Sequence, residues 1–255
     1  MNIKEAKTII DSFIIDYIER CNSNGVVIGL SGGLDSSVTA KLCVDTLGTD
    51  KVDLISLVYR MSSSKSLDDA RAIADFLNCN LEVYDISAPA DKIIEARGEM
   101  DCVRRGNILA RIRMIYLYDI SSQRGKLVAG TGNRTERILG YSTLWGDMAC
   151  AFTPIGDLLK TQERELARII GLPNWIVEKT PSADLWPGQT DEDELGITYE
   201  MADQIIHHHF DLNKPREKLI ENFPEKLVDL ILHKYLSTEF KRRMPVYPKL
   251  LDLEF

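Results

Sequence analysis

The chain predicts an α/β fold: a doubly wound, mostly parallel sheet with helices on both faces and a helical C-terminal extension. Apolar, β-branched runs alternate with amphipathic helical patterns over most of the 255 residues. Glycine-rich turns follow the first and the fourth of those runs. From Pro173 onward, Pro173, Pro181, Pro187, Pro215, Pro224, Pro245 and Pro248 cut the last third into short segments with no further convincing strand.

Taken in order, residues 3–20 carry apolar positions at helical spacing and open the chain as an amphipathic helix. Residues 26–30 are the first strand and 36–46 the helix behind it. Strands follow at 52–58, 81–84 and 126–129, separated by helices at 66–77 and 103–121, with two more helices at 135–139 and 158–170. Strands joined through single helices need right-handed crossovers and pair in parallel. Ligands of such sheets bind beyond the carboxyl ends of the strands. The turns after the first and fourth strands therefore share one edge.

Composition narrows the possibilities. The net charge of −8, from 31 basic and 39 acidic residues, argues against a nucleic-acid-binding surface. No apolar stretch approaches membrane-spanning length, and the N-terminus lacks signal-peptide character. Five cysteines, odd in number and without CxxC spacing, read as reduced thiols of a cytoplasmic protein. Cys150 among them reads as a small buried filler.

Chemistry concentrates first in Gly29-Leu30-Ser31-Gly32-Gly33-Leu34-Asp35-Ser36-Ser37. A glycine pair between a strand and a helix N-terminus lets backbone N–H groups approach an anion, which the helix dipole favours. Ser31, Ser36 and Ser37 add hydroxyls. Asp35 suits a phosphate site only when a cation mediates. The lysine of a Walker-type loop is absent, since Leu34 and Asp35 stand in its place.

The second concentration is Gly130-Thr131-Gly132-Asn133-Arg134-Thr135-Glu136. Asn133 followed by Glu136 is a capping-box pattern, so Glu136 has two readings, a helix cap or a second carboxylate for the cation at Asp35. Thr131 has the chemistry to donate to a phosphate or ribose. Lys160 lies in the first turn of a helix, where its charge opposes the dipole, so it reads as an anion ligand or as a solvated side chain. Ser182 after Pro181 reads as a turn serine. Arg111 shares a helix face with Arg104 and Asn107 and needs an anionic partner, either a ligand or an acidic residue. His207, His208 and His209 are consecutive and cannot converge from a helix on one metal. Asp191-Glu192-Asp193-Glu194 after Thr190 reads as an acid-rich helix start.

Taken together, GLSGGLDSS, GNILAR, GTGNRTERILGY, WGD, PIGDLLKTQ and PSADLWPGQTDEDELGITY, in that order, resemble the NAD synthetases. These belong to the pyrophosphatase-loop ATP enzymes, with a Rossmann-like fold of the adenine nucleotide α-hydrolase type. Thr238-Glu239-Phe240-Lys241-Arg242-Arg243 extends the likeness towards the end. The resemblance implies a ligase that adenylates the nicotinate carboxylate of deamido-NAD with ATP, releases pyrophosphate, and lets ammonia displace AMP to give NAD. It places ATP on Gly29, Leu30, Ser31, Gly32, Gly33, Leu34, Asp35, Ser36, Thr131, Lys160 and Ser182. It places Mg²⁺ on Asp35 and Glu136, catalysis on Asp35 and Lys160, and deamido-NAD on Arg111. Lys241 is added as a substrate-binding residue because the acceptor side departs from the family pattern.

The likeness departs where many members carry lysine, aspartate and histidine and this chain has Leu144, Ala151 and Phe240. Acceptor recognition is therefore expected to be rebuilt, with Asp147, Trp145 and Lys241 as candidates. The resemblance also implies a homodimer, and 1–255 as one synthetase domain without a glutaminase domain, so that free ammonia is the donor. A tRNA-modifying relative or a nucleotide sensor are the competing classes. The acidic balance opposes the first, and Asp35, Glu136 and Lys160 together oppose the second.

Overall fold

The computed structural model describes residues 2–182 and 188–248. Strands Val26–Gly29 (β1), Val52–Val58 (β2), Leu81–Asp85 (β3) and Leu127–Val128 (β4) pair entirely in parallel in the order β3-β2-β1-β4. Val26 and Val27 of β1 stand opposite Val52 and Asp53 on one side and Leu127 and Val128 on the other. The strand order reverses at β1, and the turns after β1 and β4 flank that point. β4 is shorter than its apolar run predicts, although Ala129 still donates its N–H to Val27 O at 3.0 Å and also forms a parallel bridge with Phe152.

Helices Ile3–Arg20 (α1), Leu34–Leu47 (α2), Ser64–Phe76 (α3), Ser87–Arg97 (α4), Cys102–Arg124 (α5), Arg134–Leu139 (α6) and Lys160–Ile169 (α7) wind around the sheet. The period-2 alternation of β1 divides its neighbours. Val26 and Ile28 join the core built with α1, α2 and α7, whereas Val27 joins Ile55 and Leu57 against α4 and α5. On α1, Ile3, Ile10, Ile14 and Ile18 form the buried stripe, and the Asn2 side chain caps Lys4 N at 3.1 Å. α4 is an element that the sequence pattern does not predict. Its Pro89 sits in the first turn, where a missing N–H costs nothing.

The last third forms Asn174–Val177 (α8), Asp191–Leu195 (α9), Tyr199–Ile206 (α10), Arg216–Leu219 (α11) and Glu225–Ser237 (α12), with a π-turn at His207–Asp211. α6, α10 and α12 share a second core around Ile138, Leu139, Tyr199, Ile205, Val228 and Ile231. This is the expected helical extension, and it closes over the α6 end of the sheet edge. The histidines of the π-turn address three separate acceptors: Asp211, Gln204 O and Lys214 O. None of the described helices is long and apolar enough to cross a membrane.

Candidate active site

The turn after β1 is shaped by its own side chains. Gly32 takes φ +76°, and a Cβ there would stand 2.2 Å from the Ser66 carbonyl oxygen of α3, so only glycine fits. Ser31 N–H donates to Ser36 Oγ (3.2 Å), Gly33 N–H to Ser31 Oγ (3.2 Å), and Ser37 Oγ to Gly33 O (2.7 Å). Leu30 and Leu34 bury their side chains in the main core. Gly29, Leu30, Ser31, Gly33, Leu34, Asp35 and Ser36 line a cavity of about 750 Å³, while Gly32 turns towards α3. Thr131, Glu136, Lys160, Ser182 and Lys241 line the same cavity.

Across the strand-order reversal, the turn after β4 enters α6 through a complete capping box. Asn133 Oδ1 accepts Glu136 N–H at 3.0 Å, and Glu136 Oε2 accepts Asn133 N–H at 3.2 Å. The Asn133 amide then donates to Asp35 Oδ1 at 2.7 Å and reaches Glu163 Oε2 at 3.4 Å. Lys160, fully buried at the first position of α7, donates to Asp35 Oδ1 and Oδ2 at 2.6 and 2.5 Å. Its ammonium also lies 3.4 Å from Glu163 and 3.9 Å from Glu136. The solvated reading of Lys160 is therefore corrected: burial without a partner would be costly, and three carboxylates supply the compensation.

One ammonium faces three acids, which unbalances the site. Burial favours the neutral form of Lys160, but the charges of Asp35, Glu163 and Glu136 outweigh it and raise its pKa. Burial pushes Asp35 up, yet Lys160 and the hydrogen bonds around it hold the carboxyl below its usual range. Burial, then the charge of Asp35, raise Glu136 and Glu163 well above theirs. A hard divalent cation at Asp35 and Glu136 would relieve that repulsion. Among the described residues no group of three or more His, Cys, Asp or Glu is arranged to hold a metal. Two carboxylates suit Mg²⁺, which keeps waters and takes substrate phosphates as its other ligands.

Several residues that carry this geometry escape sequence reasoning. Asp203 of α10 is buried, accepting from Thr135 Oγ1 (2.5 Å) and Thr161 N–H (2.7 Å), while Thr135 Oγ1 accepts Lys160 N–H (3.0 Å). It thereby pins the first turns of α6 and α7 together. Tyr141 and Tyr199 both donate to Asp191, at 3.1 and 3.0 Å, so the acid-rich start of α9 is bound to the site's second core. Lys179 joins Gly32 O (2.6 Å) to Asp69 (2.5 Å). Thr135, Tyr141, Thr161, Asp191 and Tyr199 fall inside the recognised motifs, whereas Asp69, Lys179 and Asp203 lie outside them and carry no sequence signal.

The acceptor-side expectations land differently. Arg111 lies on α5 outside the cavity lining and donates to Leu144 O at 3.3 and 3.1 Å. Lys241 lies in the lining, donating to Gly140 O and Ser142 O. Arg242 donates to Ile138 O (3.3 Å), and Thr238 occupies the space that a Cβ on Gly140 would need. The C-terminal signature thus caps α6, the helix that carries Glu136. Asp147 lines the cavity and accepts Thr143 N–H at 2.6 Å. Trp145 and Phe240 are exposed. Cys150 packs its Sγ against Gly130, and burial raises its thiol. Residues 183–187 of the PSADLWPGQ motif lie outside the described residues.

A cavity with this anion loop at the strand-order reversal of a parallel sheet defines the class: a doubly wound α/β nucleotide-binding enzyme. The chain belongs to the NAD synthase family, whose model matches residues 7–245. A relative from Chlorobium phaeovibrioides, named an NH(3)-dependent NAD(+) synthetase, is 43% identical over 251 residues, 98% of this chain and 91% of the relative. Among solved structures, the NMN synthetase of Francisella tularensis superposes with a TM-score of 0.87 at 31% identity, covering 98% of this chain and all of that one. The NH3-dependent NAD synthetase of Campylobacter jejuni gives 0.84 at 30% identity with the same coverage.

Proposed function

We propose that this chain is a C–N ligase making NAD from deamido-NAD, ATP and ammonia. The observation that carries this is the meeting of Asp35, Glu136 and Lys160 at the anion loop of a chain in the NAD synthase family. In the first step an oxygen of the nicotinate carboxylate forms a bond to the α-phosphorus of ATP, and the bond to the bridging α–β oxygen breaks. Pyrophosphate leaves and an acyl adenylate remains. In the second step the ammonia nitrogen bonds to the acyl carbon, the bond from that carbon to the AMP-bearing oxygen breaks, AMP departs with the former carboxylate oxygen, and nitrogen loses one proton to solvent. A carboxylate is a poor electrophile, and the AMP leaving group corrects that.

The loop from Gly29 to Ser36, with Thr131 and Ser182, binds ATP. Lys160 opposes the charge that grows on the departing pyrophosphate. Asp35 and Glu136 would hold Mg²⁺, which when bound neutralises triphosphate charge and orients it for in-line displacement. Lys160 holds both Asp35 oxygens, so its transfer towards phosphate frees them. Lys241 acts on the acceptor side, as does Arg111 from a homodimer interface along α5. The setting is cytoplasmic, with neither nucleic acid nor membrane as partner.

The test is incubation with ATP, deamido-NAD and ammonium, assaying pyrophosphate and NAD. Equal amounts of both are expected, whereas ATP cleavage without NAD would overturn the assignment. Because one structural neighbour is named an NMN synthetase, nicotinate mononucleotide is run in parallel, and deamido-NAD is expected to give the higher kcat/KM. Sedimentation at micromolar concentration is expected to show a dimer.

A further inference from the structure

Among the described residues five lysines line the cavity: Lys65, Lys160, Lys179, Lys234 and Lys241. Four are committed. Lys160 is paired with Asp35, Lys179 with Asp69 and the Gly32 carbonyl, and Lys65 lies 3.9 Å from Asp69. Lys241, the residue expected to meet the acceptor, gives two of its three N–H bonds to Gly140 O at 2.7 Å and Ser142 O at 2.6 Å. Its position is thereby tied to the 140–142 turn. Lys234, half-buried in the last turn of α12, is different: among the described residues, its ammonium meets no carboxylate and no carbonyl.

The two C-terminal lysines feel one another. Burial lowers the pKa of Lys241, Asp147 opposes that, and the charge of Lys234 lowers it further. Two cations at one partly desolvated cavity wall, one of them without a counter-ion among the described residues, favour an anion between them. The anion loop and Lys160 already serve the triphosphate. The reaction brings a second nucleotide, whose phosphates need a separate positive site.

We infer that Lys234 binds a phosphate of the acceptor nucleotide, beside Lys241, which is fixed by backbone carbonyls. This rests on the ligase reading above and adds an acceptor-recognition residue to it. It also accounts for acceptor binding in a chain with Leu144, Ala151 and Phe240 at positions where polar residues were expected.

The experiment compares wild type with Lys234→Ala and Lys234→Arg in two measurements. In steady-state assays at saturating ATP and ammonium, Lys234→Ala is expected to raise the KM for deamido-NAD about tenfold or more. The KM for ATP stays within twofold, and Lys234→Arg recovers most of the loss. Calorimetric titration with deamido-NAD, without ATP, is expected to show the same loss of affinity. A deamido-NAD KM and affinity within twofold of wild type in Lys234→Ala would overturn the inference while leaving the ligase reading intact. Wild type that binds deamido-NAD but forms no NAD overturns the ligase reading alone, and the titration then decides Lys234. Wild type that binds no deamido-NAD overturns both.

Discussion

Lys160 and Asp35 lie 125 residues apart in the chain, and the ammonium of one donates to both carboxylate oxygens of the other, at 2.6 and 2.5 Å. The pair spans the crevice between the α2 and α7 N-termini, so the two helices that approach the anion loop are joined by these two side chains. Lys160→Met should lower kcat roughly 100- to 1,000-fold, the scale for deleting one stabiliser of transition-state charge. It leaves Asp35, Glu136 and Glu163 without their cation, so stability should fall by about 3–5 kcal/mol. Pyrophosphate release and thermal unfolding check both. Lys160→Arg should restore little, because a planar guanidinium does not fit a fully buried point-charge site.

Glu136 caps α6 and faces the cavity, and one substitution separates the two roles. Glutamine at this position still accepts Asn133 N–H in the capping box. Glu136→Gln should therefore keep stability within about 1 kcal/mol yet cut activity roughly 100-fold. It should also raise the Mg²⁺ concentration needed for half-maximal rate. Wild-type activity at unchanged magnesium demand would leave Glu136 as a cap alone.

Chelation offers a direct check on the carboxylate pair. With EDTA in excess of divalent ions, pyrophosphate release should stop, and added Mg²⁺ should restore it. Among the described residues no third carboxylate, histidine or cysteine completes a metal site, so Mg²⁺ held by two carboxylates should bind mostly together with ATP.

Asp203 touches nothing in the cavity and still sets its geometry. Asp203→Ala strands the Thr135 hydroxyl and the Thr161 N–H, at roughly 1–3 kcal/mol for each buried group left unsatisfied. Thermal unfolding should shift accordingly. With the first turn of α7 released, kcat should fall as well, because Lys160 stands at its head. Asp203→Asn keeps one acceptor and should lie between wild type and alanine in both measurements.

Gly32→Ala tests the turn itself. Positive φ costs an alanine about 1–2 kcal/mol, and its Cβ would stand 2.2 Å from the Ser66 carbonyl oxygen, which belongs to the backbone of α3. The loop must move, so the KM for ATP should rise more than that for deamido-NAD. Equal ATP affinity by titration would show that the turn tolerates the shift.

Much of this site is legible in the sequence because it is local. The turn after β1 is encoded by Gly32 and Gly33, and the α6 start by Asn133 and Glu136, within a few residues of backbone. α4 is not legible, since Pro89 masks a helix in which the proline occupies the first turn. The contacts that Lys241 and Arg242 make within the chain are not legible for another reason. Their motif is recognisable, but that Arg242 meets Ile138 O of α6, and Lys241 the carbonyls of Gly140 and Ser142 after it, depends on how α12 packs against that helix.

The alternation of apolar runs, the glycines and the capping residues were sufficient to predict a parallel doubly wound sheet with two turns on one edge, because hydrophobic periodicity and turn chemistry act over short stretches of chain. Which side chains meet in the crevice was decided only by tertiary structure. Asp35 with Asn133, Lys160 with Glu163, and Asp203 with two helix starts depend on strand order and helix packing. The charge states of buried groups follow from that packing, through the loss of water and the distance to the nearest opposite charge.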